Sequence, residues 1–144
     1  MQRDATAEMV DTLAELALFS GLGQPELERL AHTFDEAWIP AGQRVLRQGF
    51  AGSGFYVILE GDAAIKVDGE ERARLGRGEF FGDISALLGD HPVADVVALQ
   101  PLRVLHLPGE QLEELLKGHP TVSYRMLQTL ARRLRAANRR RDPA

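Results

Sequence analysis

Residues 78–99, GEFFGDISALLGDHPVADVVAL, hold the arrangement in this chain best suited to binding. Gly82 stands just ahead of a short apolar run, Ile84 to Leu88, that can open a turn of helix. Backbone N–H groups at such a turn point outward and favour negative charge. Yet the stretch contains Glu79, Asp83, Asp90 and Asp95 and neither Lys nor Arg. It reads as an anion cradle without a cation. Other chemistry is sparse. The chain has no cysteine, which excludes a disulfide, a thiolate metal site, an iron–sulfur cluster and a cysteine nucleophile. His32, His91, His106 and His119 lie far apart with no ligand spacing, so no metal site is expected. No nucleophile–base pair or glycine-rich nucleotide loop is recognisable, and Glu113-Glu114 reads as a solvated helix face. Catalysis is therefore not expected.

The elements that must position the cradle follow from periodicity. With 144 residues, 44% hydrophobic and 26% charged, the chain suits one globular domain spanning 1–144. Residues 8–18 and 24–34 show apolar side chains three and four apart, the spacing of amphipathic helices. Pro40-Ala41-Gly42 closes this helical region, 1–40. Short strands then follow at close spacing: 44–46, 55–59, 63–67, 72–75, 93–99 and 102–107. Asp68-Gly69 marks a tight hairpin, and the whole of 41–108 reads as an antiparallel sandwich or barrel. Residues 110–116 form a short helix, and Pro120 starts a long one running to about residue 141. No apolar run reaches the roughly 18 residues of a membrane span. The charged N-terminus (Arg3, Asp4, Glu8, Asp11) lacks a signal-peptide core, so the cytoplasm is the expected compartment.

Charge is divided unevenly. Residues 1–119 carry 20 acidic and 10 basic side chains, whereas residues 120–144 carry seven Arg and one Asp. The basic end suits either a solvated helix face answering the acidic body or contact with nucleic acid or an acidic partner. On the long helix, Ser123, Leu127, Leu130, Leu134 and Ala137 are spaced 4, 3, 4, 3, the rhythm of a coiled-coil seam. That stripe can pack on its own domain, but a parallel seam with a second copy is the expectation, making the chain a homodimer.

The order of elements and four words, LFSGLGQPELERLA, RQGFAGSGFYVILEGDAAI, GEFFGDISALL with PVADVVAL, and ARRLR, resemble the cyclic-nucleotide-binding domain family. LFSGLGQPELERLA (18–31) is similar to its entry helix, and RQGFAGSGFYVILEGDAAI (47–65) to its glycine-framed hairpin. GEFFGDISALL followed by PVADVVAL is similar to its phosphate-binding cassette, and ARRLR (131–135) to the long helix of the catabolite-activator branch. The resemblance implies an α+β fold: an antiparallel double-stranded β-helix (β-roll, or jelly roll) at 41–108. N-terminal helices over 1–40 would flank it, with a short helix and a dimerisation helix over 109–141.

The resemblance also implies roles by position. Gly82 matches the cassette glycine, and Asp83 stands where a glutamate accepts a sugar hydroxyl. Ile84, Ser85 and Ala86 would offer backbone N–H groups to a cyclic phosphate. Pro92 falls on the arginine that pairs with that phosphate, Val93 on the following Ser/Thr, and Ala94 on the next residue. Asn138 lies where the long helix contacts the base. Loss of the arginine removes a desolvated charge partner, a change worth about 2–5 kcal/mol. High affinity for a standard cyclic mononucleotide is not expected, and any cyclic nucleotide or other small anion should bind weakly. Arg74, Arg77 and His91 are the nearby candidates for a replacement cation, although a solvent-facing turn for His91 and surface positions for both arginines are the favoured reading. The implied function is a non-enzymatic regulatory or sensor module that needs no cofactor, with a degenerate or non-standard cassette. It would act through a ligand- or protein-partner-linked change of a dimer helix. The alternative is the sensor half of a catabolite-activator-type transcription regulator that binds a cyclic nucleotide. DNA binding would then require a winged helix following in a longer chain.

Overall fold

The computed structural model describes residues 5–50 and 53–141. Two helices come first, α1 (Ala5–Ala14) and α2 (Gln24–Thr33), with a 3₁₀ turn at Ala17–Phe19 between them. Eight strands follow: β1 (Asp35–Ile39), β2 (Arg44–Leu46), β3 (Gly54–Glu60), β4 (Ala63–Val67), β5 (Glu70–Leu75), β6 (Phe80–Phe81), β7 (Asp95–Ala98) and β8 (Leu102–Pro108). The short helix α3 (Asp83–Leu88) interrupts them between β6 and β7. A 3₁₀ turn at Gly109–Gln111, α4 (Leu112–Gly118) and α5 (Pro120–Arg141) complete the chain. Among the described residues no helix is long and apolar enough to cross a membrane.

The strands form two four-stranded antiparallel sheets, β1-β8-β3-β6 and β2-β7-β4-β5, the expected jelly roll. β3 shows why its sequence reads as an unbroken apolar run rather than an alternating one. Phe55, Val57 and Leu59 point to the helices, where they join Leu13, Phe19, Leu30, Leu112 and Met126. Ile58 points the other way, into the inter-sheet core with Leu46, Phe81, Val96 and Val104. A strand buried on both faces needs apolar residues at both parities. The glycine of the Asp68-Gly69 turn and its aspartate both take positive φ, 80° and 53°, as the β4–β5 hairpin requires.

Two strands differ from expectation, the two-residue β6, which pairs with β3 at Tyr56↔Phe81 and Val57↔Phe80, and β1. Residues 35–39, assigned to the helical region 1–40 because Pro40-Ala41-Gly42 marks its end, form strand β1, paired to β8 from Asp35↔His106 to Ile39↔Leu102. Asp35, Glu36, Ala37 and Trp38 are all exposed on this edge strand. Without a buried face it carries no period-2 signature, and the next breaker after the helical spacing of 24–34 is Pro40-Ala41-Gly42.

α5 is divided between two faces. Ser123 Oγ donates to Leu116 O at 2.6 Å, and Arg125 Nε donates to Ser20 O at 3.0 Å, fixing its first turns on the domain. The expected single seam splits. Leu130 packs against the helix-side core and Ala137 lines a cavity under α5. Leu127 and Leu134 are instead 62% exposed, on a stripe with Tyr124 (63% exposed), Ala131 and Asn138. Spacings 4-3-4-3 run through both sets of residues, and only packing distinguishes the inward set from the outward one.

Candidate functional site

At the open end of the roll, a cavity of about 580 Å³ lies between the two sheets, α3 and the second half of α5. Its wall includes Gly82, Asp83, Ile84, Ser85, Pro92, Val93 and Ala94. The cassette-like residues therefore meet at one cavity, except Ala86, which faces the neighbouring clefts on the α4 side.

Gly82 has φ +84° and precedes α3 directly. A Cβ there would lie 1.8 Å from the carbonyl oxygen of Gly54, so only glycine lets β3 and the α3 entry cross this closely. The crossing drives Asp83 inward, to 4% exposure. Its Oδ1 is 3.4 Å from Arg133 Nη1, and its Oδ2, also buried, has no hydrogen-bond partner among the described residues. Arg133 comes from α5. Its Nη2 donates to the carbonyl of Phe80 at 2.7 Å, and its guanidinium lies 4.4 Å over the Phe80 ring. Burial pushes the Asp83 carboxyl above its ordinary pKa, and the charge of Arg133, a hydrogen bond from the Asp83 backbone and one from Arg133 oppose that shift.

The phosphate end has the opposite character. Pro92 is buried, offers no N–H, and holds its carbonyl against the Gly49 N–H at 2.9 Å. Val93 lies beside it, 51% exposed. Asp95 turns away from the cavity: its Oδ1 accepts the Gln48 N–H at 2.7 Å, and Oδ2 lies 4.0 Å from Arg44.

Of the three replacement cations named from the sequence, one reaches the cavity. Arg74 lines its rim with its Nε 3.3 Å from Glu71, and Arg72 does so too, 3.4 Å from Glu70. Arg77 points to α1, bonded to Glu15 at 2.6 Å and to the Leu59 carbonyl at 2.9 Å. His91 sits in an exposed turn, its N–H on Asp90 Oδ1, and lines a separate cleft with Ser53 and Glu110. Asn138 does not line the cavity either. It is exposed on a shallow groove with Leu134 and Arg135, and the α5 wall is made by Ala136 and Ala137. Arg133 is the residue that sequence reasoning missed. Nothing local marked it: it lies in a run of arginines on α5, and only its approach to Phe80 and Asp83 sets it apart.

This fold, with a glycine-led helix and a buried carboxylate closing the mouth of a jelly roll, defines the class. The chain belongs to the cyclic nucleotide-binding domain family, whose model matches residues 36–119. Among its relatives is the cyclic AMP receptor protein of Thermus thermophilus, 32% identical over 126 residues, covering 84% of this chain and 58% of that protein. The crystal structure of the Thermus thermophilus catabolite activator protein superposes with a TM-score of 0.74 at 32% identity, covering 85% of this chain and 60% of that one. The cGMP-dependent protein kinase egl-4 of Caenorhabditis briggsae is 31% identical over 118 residues, 76% of this chain and 16% of the kinase. At the level of fold, the regulatory subunit of a cAMP-independent protein kinase A from Trypanosoma cruzi bound to guanosine gives a TM-score of 0.70 at 23% identity, covering 88% of this chain and 50% of that one. The chain thus spans less than two thirds of the length of each of these proteins.

Proposed function

We propose that this chain is a non-enzymatic regulatory sensor module whose cavity has lost its phosphate partner and kept its link to α5. One observation carries the reading: Asp83 on α3 is tied to Arg133 on α5, while the opposite end of the cavity is apolar at Pro92 and Val93. A ligand that engages Asp83 redistributes the Arg133 bond and so shifts the helix from which Arg133 projects, the differential contact that a two-state sensor requires. The Trypanosoma cruzi chain bound to guanosine supports a fold that accepts a molecule without phosphate. Calorimetric titration with cyclic AMP and cyclic GMP is expected to give dissociation constants weaker than about 1 µM, because a desolvated charge partner is missing. A submicromolar site for either would sink the reading.

The output helix is proposed to pair with a second copy through its outward stripe, Tyr124, Leu127, Ala131, Leu134 and Asn138. At about 50 µM, where mass action favours association, light scattering is expected to give the mass of a dimer. Replacing Leu127 and Leu134 together by Glu should return the monomer, whereas Leu130→Ala should act mainly on folding. A monomeric unmodified chain would refute the pairing. The likeness to the Thermus receptor favours a second reading, in which this module is the sensor half of a transcription regulator and a DNA-binding part lies elsewhere in a longer protein.

A further inference from the structure

We infer that the cavity selects an uncharged nucleoside-type ligand, a flat ring bearing a sugar with free hydroxyls and no phosphate, over the corresponding cyclic nucleotide. This rests on the sensor reading above and names the ligand class of that same site. Three features of the cavity converge on it.

The first is size and lining. About 580 Å³ is room for a ring system and a sugar, within the range of small-molecule sites. Ile65, Val67, Leu75, Phe81 and Val96 give the ring apolar surface from both sheets. The second is the acceptor. Asp83 lines the cavity, and its Oδ2 is buried with no donor among the described residues. A buried acceptor in a low-dielectric site is satisfied by a donor that the ligand brings, and a sugar hydroxyl is such a donor. The third is charge. The cation in the cavity wall, Arg133, is already shared between Asp83 and the Phe80 carbonyl, so the pair is neutral as it stands. Arg72 and Arg74 lie at the exposed rim against Glu70 and Glu71. At the cassette end a phosphate would meet the apolar side chains of Pro92 and Val93 with no guanidinium to receive it. A neutral sugar meets that apolar wall without an ionic desolvation cost.

The test is a titration of the unmodified chain with adenosine, guanosine, their 3′,5′-cyclic monophosphates, and the free bases adenine and guanine. At least one nucleoside is expected to bind at least about 10-fold tighter than its cyclic monophosphate, and at least about 10-fold tighter than its free base, which has no hydroxyl for Asp83. Asp83→Ala should remove most of the nucleoside advantage over the base. Should that variant fold poorly, the nucleoside-to-base ratio on the unmodified chain still decides the matter. A cyclic monophosphate binding tighter than its nucleoside overturns the inference, and at submicromolar affinity overturns the sensor reading with it. If neither nucleoside binds at about 1 mM and the cyclic nucleotides are equally weak, the ligand class is wrong while the reading of a cavity without its phosphate partner stands.

Discussion

Gly82→Ala is expected to destabilise the domain by more than about 4 kcal/mol, a large share of the 5–15 kcal/mol that a domain of this kind has. Two penalties act at once. A non-glycine residue at φ +84° costs about 1–2 kcal/mol by itself. The added Cβ would then meet the Gly54 carbonyl at 1.8 Å, and a backbone oxygen cannot rotate away as a side chain can. Relief requires β3 or the α3 entry to shift, and β3 is buried on both faces by two cores. Gly89→Ala is the internal control. Gly89 also has positive φ, 67°, but a Cβ there meets nothing within 4 Å, so only the conformational penalty of about 1–2 kcal/mol applies. Thermal melts should therefore separate the two variants by more than about 5 °C. Equal melting temperatures would show that the close crossing is not rigid. The same geometry changes what Gly82 means: the fold demands glycine here whether or not a phosphate ever approaches.

That distinction explains how much could be read in advance. The strands of the roll were legible because their turns announce themselves, as Asp68-Gly69 does, and because β3 is apolar at every interior position. β1 was hidden because an exposed edge strand owes its shape to pairing with β8, a partner 60 or more residues away. The cassette was legible as a string of residue types, and the cavity does gather Gly82, Asp83, Pro92 and Val93. Its cation was hidden for a different reason. Arg133 sits in a run of arginines on α5, and nothing local separates a residue that turns under the helix to Phe80 and Asp83 from Arg132, which bonds Thr129 on the exposed surface. Tertiary approach alone selects one of them. The seam has the same cause: Leu130 and Leu134, one turn apart, share a heptad rhythm, and only the position of the roll covers the first and leaves the second exposed.

Pro92→Arg combined with Val93→Ser is expected to raise affinity for cyclic AMP by about 30-fold or more, the reverse of losing a desolvated charge partner worth about 2–5 kcal/mol. Position 92 is suited to the change. Its side chain is buried and lines the cavity, and the backbone contact it makes, through its carbonyl to Gly49, is kept by any residue. Replacing Pro restores an N–H, and Ser at 93 adds a hydroxyl beside the new guanidinium. Asp83 must stay tied to Arg133 for this to work. Its free Oδ2 offers the new arginine a competing partner, which would steady the empty domain and blunt the gain. Calorimetry and melting curves together tell these apart. Tighter cyclic AMP binding with nucleoside affinity unchanged or weaker means that the cassette backbone still faces a phosphate and that the apolar wall alone set the preference. A higher melting temperature with no gain in affinity means that the new arginine has joined Asp83 instead. Neither change would mean that the α3 backbone has closed over the place where the phosphate would sit, and that restoring one cation cannot reopen it.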